Sequence, residues 1–175
     1  MASHGGRRPS AADRFSIAML AFFMVIALTI ELYFIVHHRD IRQRTDLVAR
    51  LYELYGRGDE GYYGRGYVAL PVAFTTLNVF VTQPLNALLI WATVRRRRYR
   101  HPLQLMVSAY MSAFVLLYLW VAHVSGYQGM PEKTFSGYAI VYAPQMPWLL
   151  GYAYLGRRSF TALVRNPADR GDPSP

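Results

Sequence analysis

A single carboxylate, Glu31, stands inside an otherwise uncharged run from Phe15 to Val36. An ionised side chain in hydrocarbon costs a few kcal/mol on insertion scales, so such a residue turns toward its neighbours and either finds a donor or takes up a proton. Protonated, it is an acid able to hand that proton to a substrate; hydrogen-bonded, it is a link between helices. Three later apolar runs carry neutral groups that could share a site with it. Thr75, Asn78, Thr82 and Asn86 recur at intervals of three and four, which puts them on one helical face, with Thr76 and Gln83 beside them. Gln104, Ser108 and Ser112 repeat the pattern, and Tyr138, Tyr142, Gln145, Trp148 or Leu149, and Tyr152 form an aromatic stripe around one amide. Such a stripe taken singly is more often a helix-packing seam than a ligand wall, because small polar residues let helices approach closely. Together they describe a pocket with one acid, several hydrogen-bonding groups and many rings.

That inventory excludes several chemistries. With no cysteine there is no thiolate nucleophile, no disulfide framework and no Cys-containing metal site. No G-x-S-x-G elbow and no two-histidine-plus-carboxylate spacing is present. His37 and His38 are adjacent, about 100° apart on a helix, and read with Arg39 and His123 as interface residues, so neither a metal nor a cofactor is expected. What fits is proton transfer to an apolar substrate, in which an acid generates a carbocation and ring faces stabilise it by roughly 0.5–2 kcal/mol each.

The elements that must hold these residues follow from composition. The 175-residue chain is 53% hydrophobic, 15% aromatic and only 17% charged, and its 19 basic residues against 10 acidic ones collect between long uncharged runs. A nucleic-acid reader would place its arginines on folded elements among stacking rings, so no nucleic-acid partner is expected. Four runs, Phe15–Val36, Val68–Val94, Leu103–Val124 and Tyr138–Leu155, approach or exceed the roughly 20 residues that cross a bilayer. The expected fold is therefore all-α, a bundle of four transmembrane helices, the fourth kinked at Pro144 and Pro147 and lining a cavity. Basic residues outside the spans favour both termini in the cytoplasm, with 12 on that side against 7 in the outer loops. The five arginines of Arg95–His101 then act as a cytoplasmic anchor. Residues 1–14 and 156–175 read as tails around a domain spanning 15–155. Asp46–Tyr55 reads as a short amphipathic helix along the membrane surface, with Leu47, Leu51 and Leu54 on one side, and Gly56, Gly58, Gly61, Gly64 and Gly66 read as turns.

The segments Ile30–Asp40 and Leu51–Tyr63, the Gln83-Pro84-Leu85 step, the basic linker into His101-Pro102-Leu103-Gln104-Leu105 and the Trp148 region resemble the emopamil-binding-protein, or EXPERA, superfamily, from about Phe15 to Leu155. The resemblance implies a helix bundle around a sterol-sized cavity. Its enzymatic members shift a sterol double bond by protonating one carbon and deprotonating its neighbour; others bind sterols or amines, and related small membrane proteins cyclise prenylated substrates. It places Glu31 on the family's first-span glutamate, and Trp148 and Gln145 on the fourth-span tryptophan and amide. Ala27, Thr75 and Val115 stand where the family carries a histidine, a glutamate and an aspartate. The expectation is an isomerase or cyclase for an isoprenoid, sterol-like or polyene lipid. Glu31 is its acid, and Trp148, Gln145, Tyr142, Asn78, Thr75, Tyr110 and Tyr118 line the substrate site. A non-catalytic lipid-binding or trafficking protein is the alternative. The partners expected are that hydrophobic molecule and membrane lipids, and a homodimer is left open.

Overall fold

A computed structural model describes residues 10–131 and 133–165, and among them the chain is helical, with no strand. The first helix, α1, covers Ala11–His37; α2 covers Leu47–Tyr55, α3 Ala69–Val94, α4 Arg100–Val124, α5 Phe135–Tyr142 and α6 Met146–Arg165. Three of them, α1, α3 and α4, are long and apolar enough to cross a membrane. Their outward faces carry large apolar side chains: Phe22, Val25, Phe80, Leu116 and Trp120 are each more than half exposed. In water such a surface would drive aggregation, whereas hydrocarbon covers it at no cost.

The expected fourth run is divided into α5, a tight turn at Ala143–Gln145, and α6. Pro144 and Pro147 both lack an N–H, which removes two rungs of the helical ladder at this point. The helix then continues ten residues beyond Leu155, so residues 156–165 are not a tail. The reason lies at the other end of the chain. Ser10 accepts from the Asp13 N–H at 3.1 Å and Asp13 accepts from the Ser10 N–H at 3.2 Å, a reciprocal cap that starts α1 at Ala11 rather than Phe15. The same Asp13 carboxylate is gripped by Arg158 of α6 and lies 3.9 Å from Arg100 of α4. Arg158 also donates to Ser16 at 2.8 Å, and this buried polar knot ties three helices together at one end of the bundle. The remaining stretches read as tails, residues 1–9 and 166–175, lie outside the described residues.

Helices α4 and α6 pack most intimately. Gly156 faces Ser108 so closely that a Cβ there would stand 3.2 Å from the serine Cβ, and Gln104 donates to the Leu155 carbonyl at 3.1 Å. Gly151 does the same between α6 and α1, where an added Cβ would meet Phe23 at 2.7 Å. Two wide turns, each closing an i→i+5 hydrogen bond, interrupt the long helices: Ala27–Glu31 in α1 and Asn78–Thr82 in α3. In α1 the Thr29 hydroxyl donates back to the Val25 carbonyl at 2.6 Å, a contact that bends helices. In α3 Pro84 follows the wide turn and cannot donate to Phe80.

Between α1 and α3 the chain folds over one end of the bundle. Asp46 caps α2 by accepting from the Val48 and Ala49 N–H groups at 3.1 Å each. Leu47, Leu51 and Leu54 face outward as expected, and Tyr52 is buried on the opposite side. The glycine-rich stretch forms turns, with Gly64 at φ +66° closing the Glu60–Tyr63 turn where a side chain would press on the His38 carbonyl. His37 pairs with Asp40 at 3.5 Å, His38 bonds the Ile35 carbonyl, and His123 packs against Trp120 and Tyr127. Arg97 lies over the Trp91 ring.

Candidate functional site

The polar face of α3 is buried along its length: Thr75, Asn78, Thr82 and Asn86 are all 6% exposed or less. Asn78 donates to Glu31 Oε2 at 2.7 Å. Its own carbonyl oxygen accepts from Gln83 at 2.9 Å, Gln83 accepts from Asn86 at 3.0 Å, and Asn86 exchanges hydrogen bonds with the Tyr152 hydroxyl at 2.8 and 3.1 Å. This chain of amides from α1 through α3 to α6 has every member satisfied, so it fixes the carboxylate's position without neutralising it by a counter-charge. Thr75 donates to the Pro71 carbonyl at 2.7 Å, leaving its oxygen to the site only as an acceptor.

Glu31 lies deep in the bundle yet keeps accessible surface, because that surface faces a cavity of about 260 Å³. Six of the eight residues singled out from the sequence line it: Glu31, Thr75, Asn78, Tyr118, Gln145 and Trp148. Trp148 stacks on Phe23 with ring centroids 4.3 Å apart, which holds its other surface toward the void. Gln145 donates to the Tyr55 hydroxyl at 3.1 Å. Two residues stand elsewhere. Tyr142 bonds the Tyr127 hydroxyl at 2.7 Å, and Tyr110 stacks on Phe114 one turn earlier in α4 without lining the void. The tight turn after Tyr142 changes the helical phase, so a stripe drawn at constant spacing does not stay on one side.

The wall also contains residues that sequence reasoning missed. Tyr52, Tyr55 and Tyr62 reach in from the connection between α1 and α3, with Phe74 from α3 and Met111 and Phe114 from α4. The Tyr52 hydroxyl donates to the Ile30 carbonyl at 3.0 Å, one residue before Glu31, and Tyr62 meets Tyr55 edge-on at 4.8 Å. A signal for the first two existed: Tyr52 and Tyr55 are three apart and so share one face of α2. Seven aromatic rings and a single carboxylate thus surround the void, and no second carboxylate lines it among the described residues. No cluster of three metal-ligating side chains occurs among the described residues.

The arrangement can present one proton, or one negative charge, to an apolar guest whose positive charge ring faces would stabilise. In comparisons with known proteins the chain matches no family model and no curated sequence.

Proposed function

We propose that this chain is a multi-pass membrane isomerase or cyclase that protonates a double bond of an isoprenoid, sterol-like or polyene lipid from Glu31. The observation that carries the reading is the Glu31 carboxylate, anchored by Asn78 at the edge of a cavity whose other walls are mainly apolar and aromatic. A carboxylate kept there without a counter-charge is expensive as mere glue. Three apolar helices, with α5 and α6 as a fourth passage, and both termini in the cytoplasm complete this picture. The resemblance to the EXPERA superfamily points the same way.

Cavity size refines the substrate. About 260 Å³ falls just below the roughly 300–1,000 Å³ of pockets that enclose a drug-sized ligand, so it suits the reactive end of an extended prenyl or polyene chain better than a whole tetracyclic sterol. The rest of such a chain would pass the exposed lining residues Leu51 and Pro144. The lack of a second carboxylate among the described residues of the wall favours one alternative, a protein that binds an apolar amine or lipid without changing it. Lipids extracted from purified wild-type and Glu31→Gln protein separate the two. A rearranged lipid on the wild type with its unrearranged precursor on the variant supports catalysis; the same unaltered lipid on both supports binding alone.

A further inference from the structure

A second cavity, of about 410 Å³, is larger than the one at Glu31 and lies within the roughly 300–1,000 Å³ of pockets that enclose a small molecule. It is built from the α1–α3 connection, the start of α3, the last turns of α4 and the α4–α5 connection, so it sits where two membrane-crossing helices end. A backbone bond of 2.8 Å from the Glu60 N–H to the Gly129 carbonyl ties the two connections to each other. In a chain with 19 basic residues against 10 acidic ones, the charged side chains lining this cavity among the described residues are two neighbouring carboxylates, Asp59 and Glu60. Neutral donors alone hold Asp59: the Tyr118 hydroxyl donates to Oδ2 at 2.7 Å and the Gly61 N–H to Oδ1 at 3.0 Å, which leaves each oxygen a further lone pair. The Glu60 carboxylate makes no hydrogen bond or ion pair with any described residue. Gly129 keeps Asp59 uncovered, since a Cβ added there would stand 3.4 Å from Oδ1.

Rings and apolar side chains complete the wall. Tyr67, Tyr118 and Tyr127 line it together with Leu70, Val121 and Met130. Tyr127 adopts the left-handed backbone region at φ +56°, where a bulky residue is rarely found, and its hydroxyl is bonded to that of Tyr142 at 2.7 Å, which fixes the ring's place. We propose that this cavity binds an organic ammonium ion, with the charged nitrogen against the Asp59 and Glu60 carboxylates and the carbon body against the tyrosine rings and the Leu70, Val121 and Met130 side chains. Two adjacent carboxylates without a counter-charge repel each other and any anion, and a cation between them relieves that repulsion. Ring faces add their attraction for a positive charge. A divalent metal ion asks for more oxygen ligands than two carboxylates supply, and no cluster of three metal-ligating side chains occurs among the described residues. At the ends of membrane helices the ammonium has two sources, the headgroup of an aminophospholipid or a free alkylamine. The site uses none of the chemistry proposed for Glu31.

Isothermal titration calorimetry of the full-length protein in maltoside micelles tests the site, with phenethylammonium chloride as the probe and 2-phenylethanol as a control of the same body without the charge. The ammonium should bind saturably and about tenfold or more tightly than the alcohol. Glu60→Gln, which removes a charge that no described residue partners, and Asp59→Asn, which keeps an oxygen for the Gly61 N–H, should each weaken the ammonium by about tenfold, while Glu31→Gln leaves it unchanged. Wild-type affinity in both Glu60→Gln and Asp59→Asn overturns the site, and so does an affinity for the alcohol equal to that for the ammonium. Binding lost in Glu31→Gln overturns it too, because the amine then occupies the other cavity. When binding follows Glu60 and Asp59, phosphatidylethanolamine added to the micelles separates the sources: a weaker apparent affinity than with the same amount of diacylglycerol assigns the site to a lipid headgroup, and an equal one assigns it to a free amine.

Discussion

Asn78 of α3 donates to Glu31 of α1 at 2.7 Å, and both residues belong to wide turns, Asn78–Thr82 and Ala27–Glu31, that meet across the helix interface. Wide turns are rare, cluster at functional sites and place one more residue in a turn than a regular helix does. Here they bring a carboxylate and an amide together at the cavity wall while the flanking helices continue.

Replacing Glu31 by Gln keeps the side chain's shape and its capacity to accept from Asn78 but removes the transferable proton. On the proposed isomerase or cyclase reading, conversion of a lipid substrate in membranes should fall by about 100-fold or more, with the thermal unfolding midpoint little changed. Turnover equal to wild type would remove Glu31 from the role of acid.

Asn78→Leu takes away the one side-chain donor to Glu31 among the described residues and breaks the amide chain toward Tyr152. Leaving buried polar groups unpaired costs about 1–3 kcal/mol each. Thermal unfolding in detergent should show the loss, and Glu31→Gln/Asn78→Leu together should cost less than the two separate losses combined.

Arg158→Ala strips the guanidinium from the buried Asp13 carboxylate and leaves it the Ser10 cap donors and, as nearest cation among the described residues, the more distant Arg100. The expected destabilisation is about 3 kcal/mol, partly restored in the double variant Asp13→Ser/Arg158→Ala, because an unpartnered buried charge costs more than a missing pair. The cavity lies away from this knot, so bound lipid should be retained by the protein that stays folded.

Two aspartates outside the apolar helices should respond to pH with opposite sign. The Tyr33 hydroxyl, the Ala49 N–H and Arg44 hold the Asp46 carboxyl down to about 2. Its contribution is present above the unfolded value near 3.8 and lost as pH falls toward 2, so Asp46→Asn should flatten the acid limb of a stability profile. Asp59 is pushed upward by desolvation, against the lowering effects of Tyr118 and the Gly61 N–H. Its ionisation opposes folding as pH rises through the folded value. Asp59→Asn should therefore unfold at a higher temperature than wild type at neutral pH, and the gap should close as pH falls below that value. Melting curves across pH decide both.

Much of this protein is legible in its one-dimensional pattern. Long uncharged runs leave the chain few places to go except helices in hydrocarbon, since backbone groups there must pair within their own segment. A lone glutamate in such a run and polar residues at intervals of three and four mark inward faces by the cost of turning them outward. Glu31, Asn78, Thr75, Gln145 and Trp148 are found in this way. The pattern cannot show the wide turns, because an extra residue in a turn rotates every later side chain by about 100° and depends on how helices pack. Nor can it show Tyr52, Tyr55 and Tyr62 folding back over the bundle, the Tyr118 hydroxyl donating to Asp59, or Asp13 in the grip of Arg158. Those pairs are 22 to 145 residues apart or depend on such contacts, and only three-dimensional packing brings their atoms together.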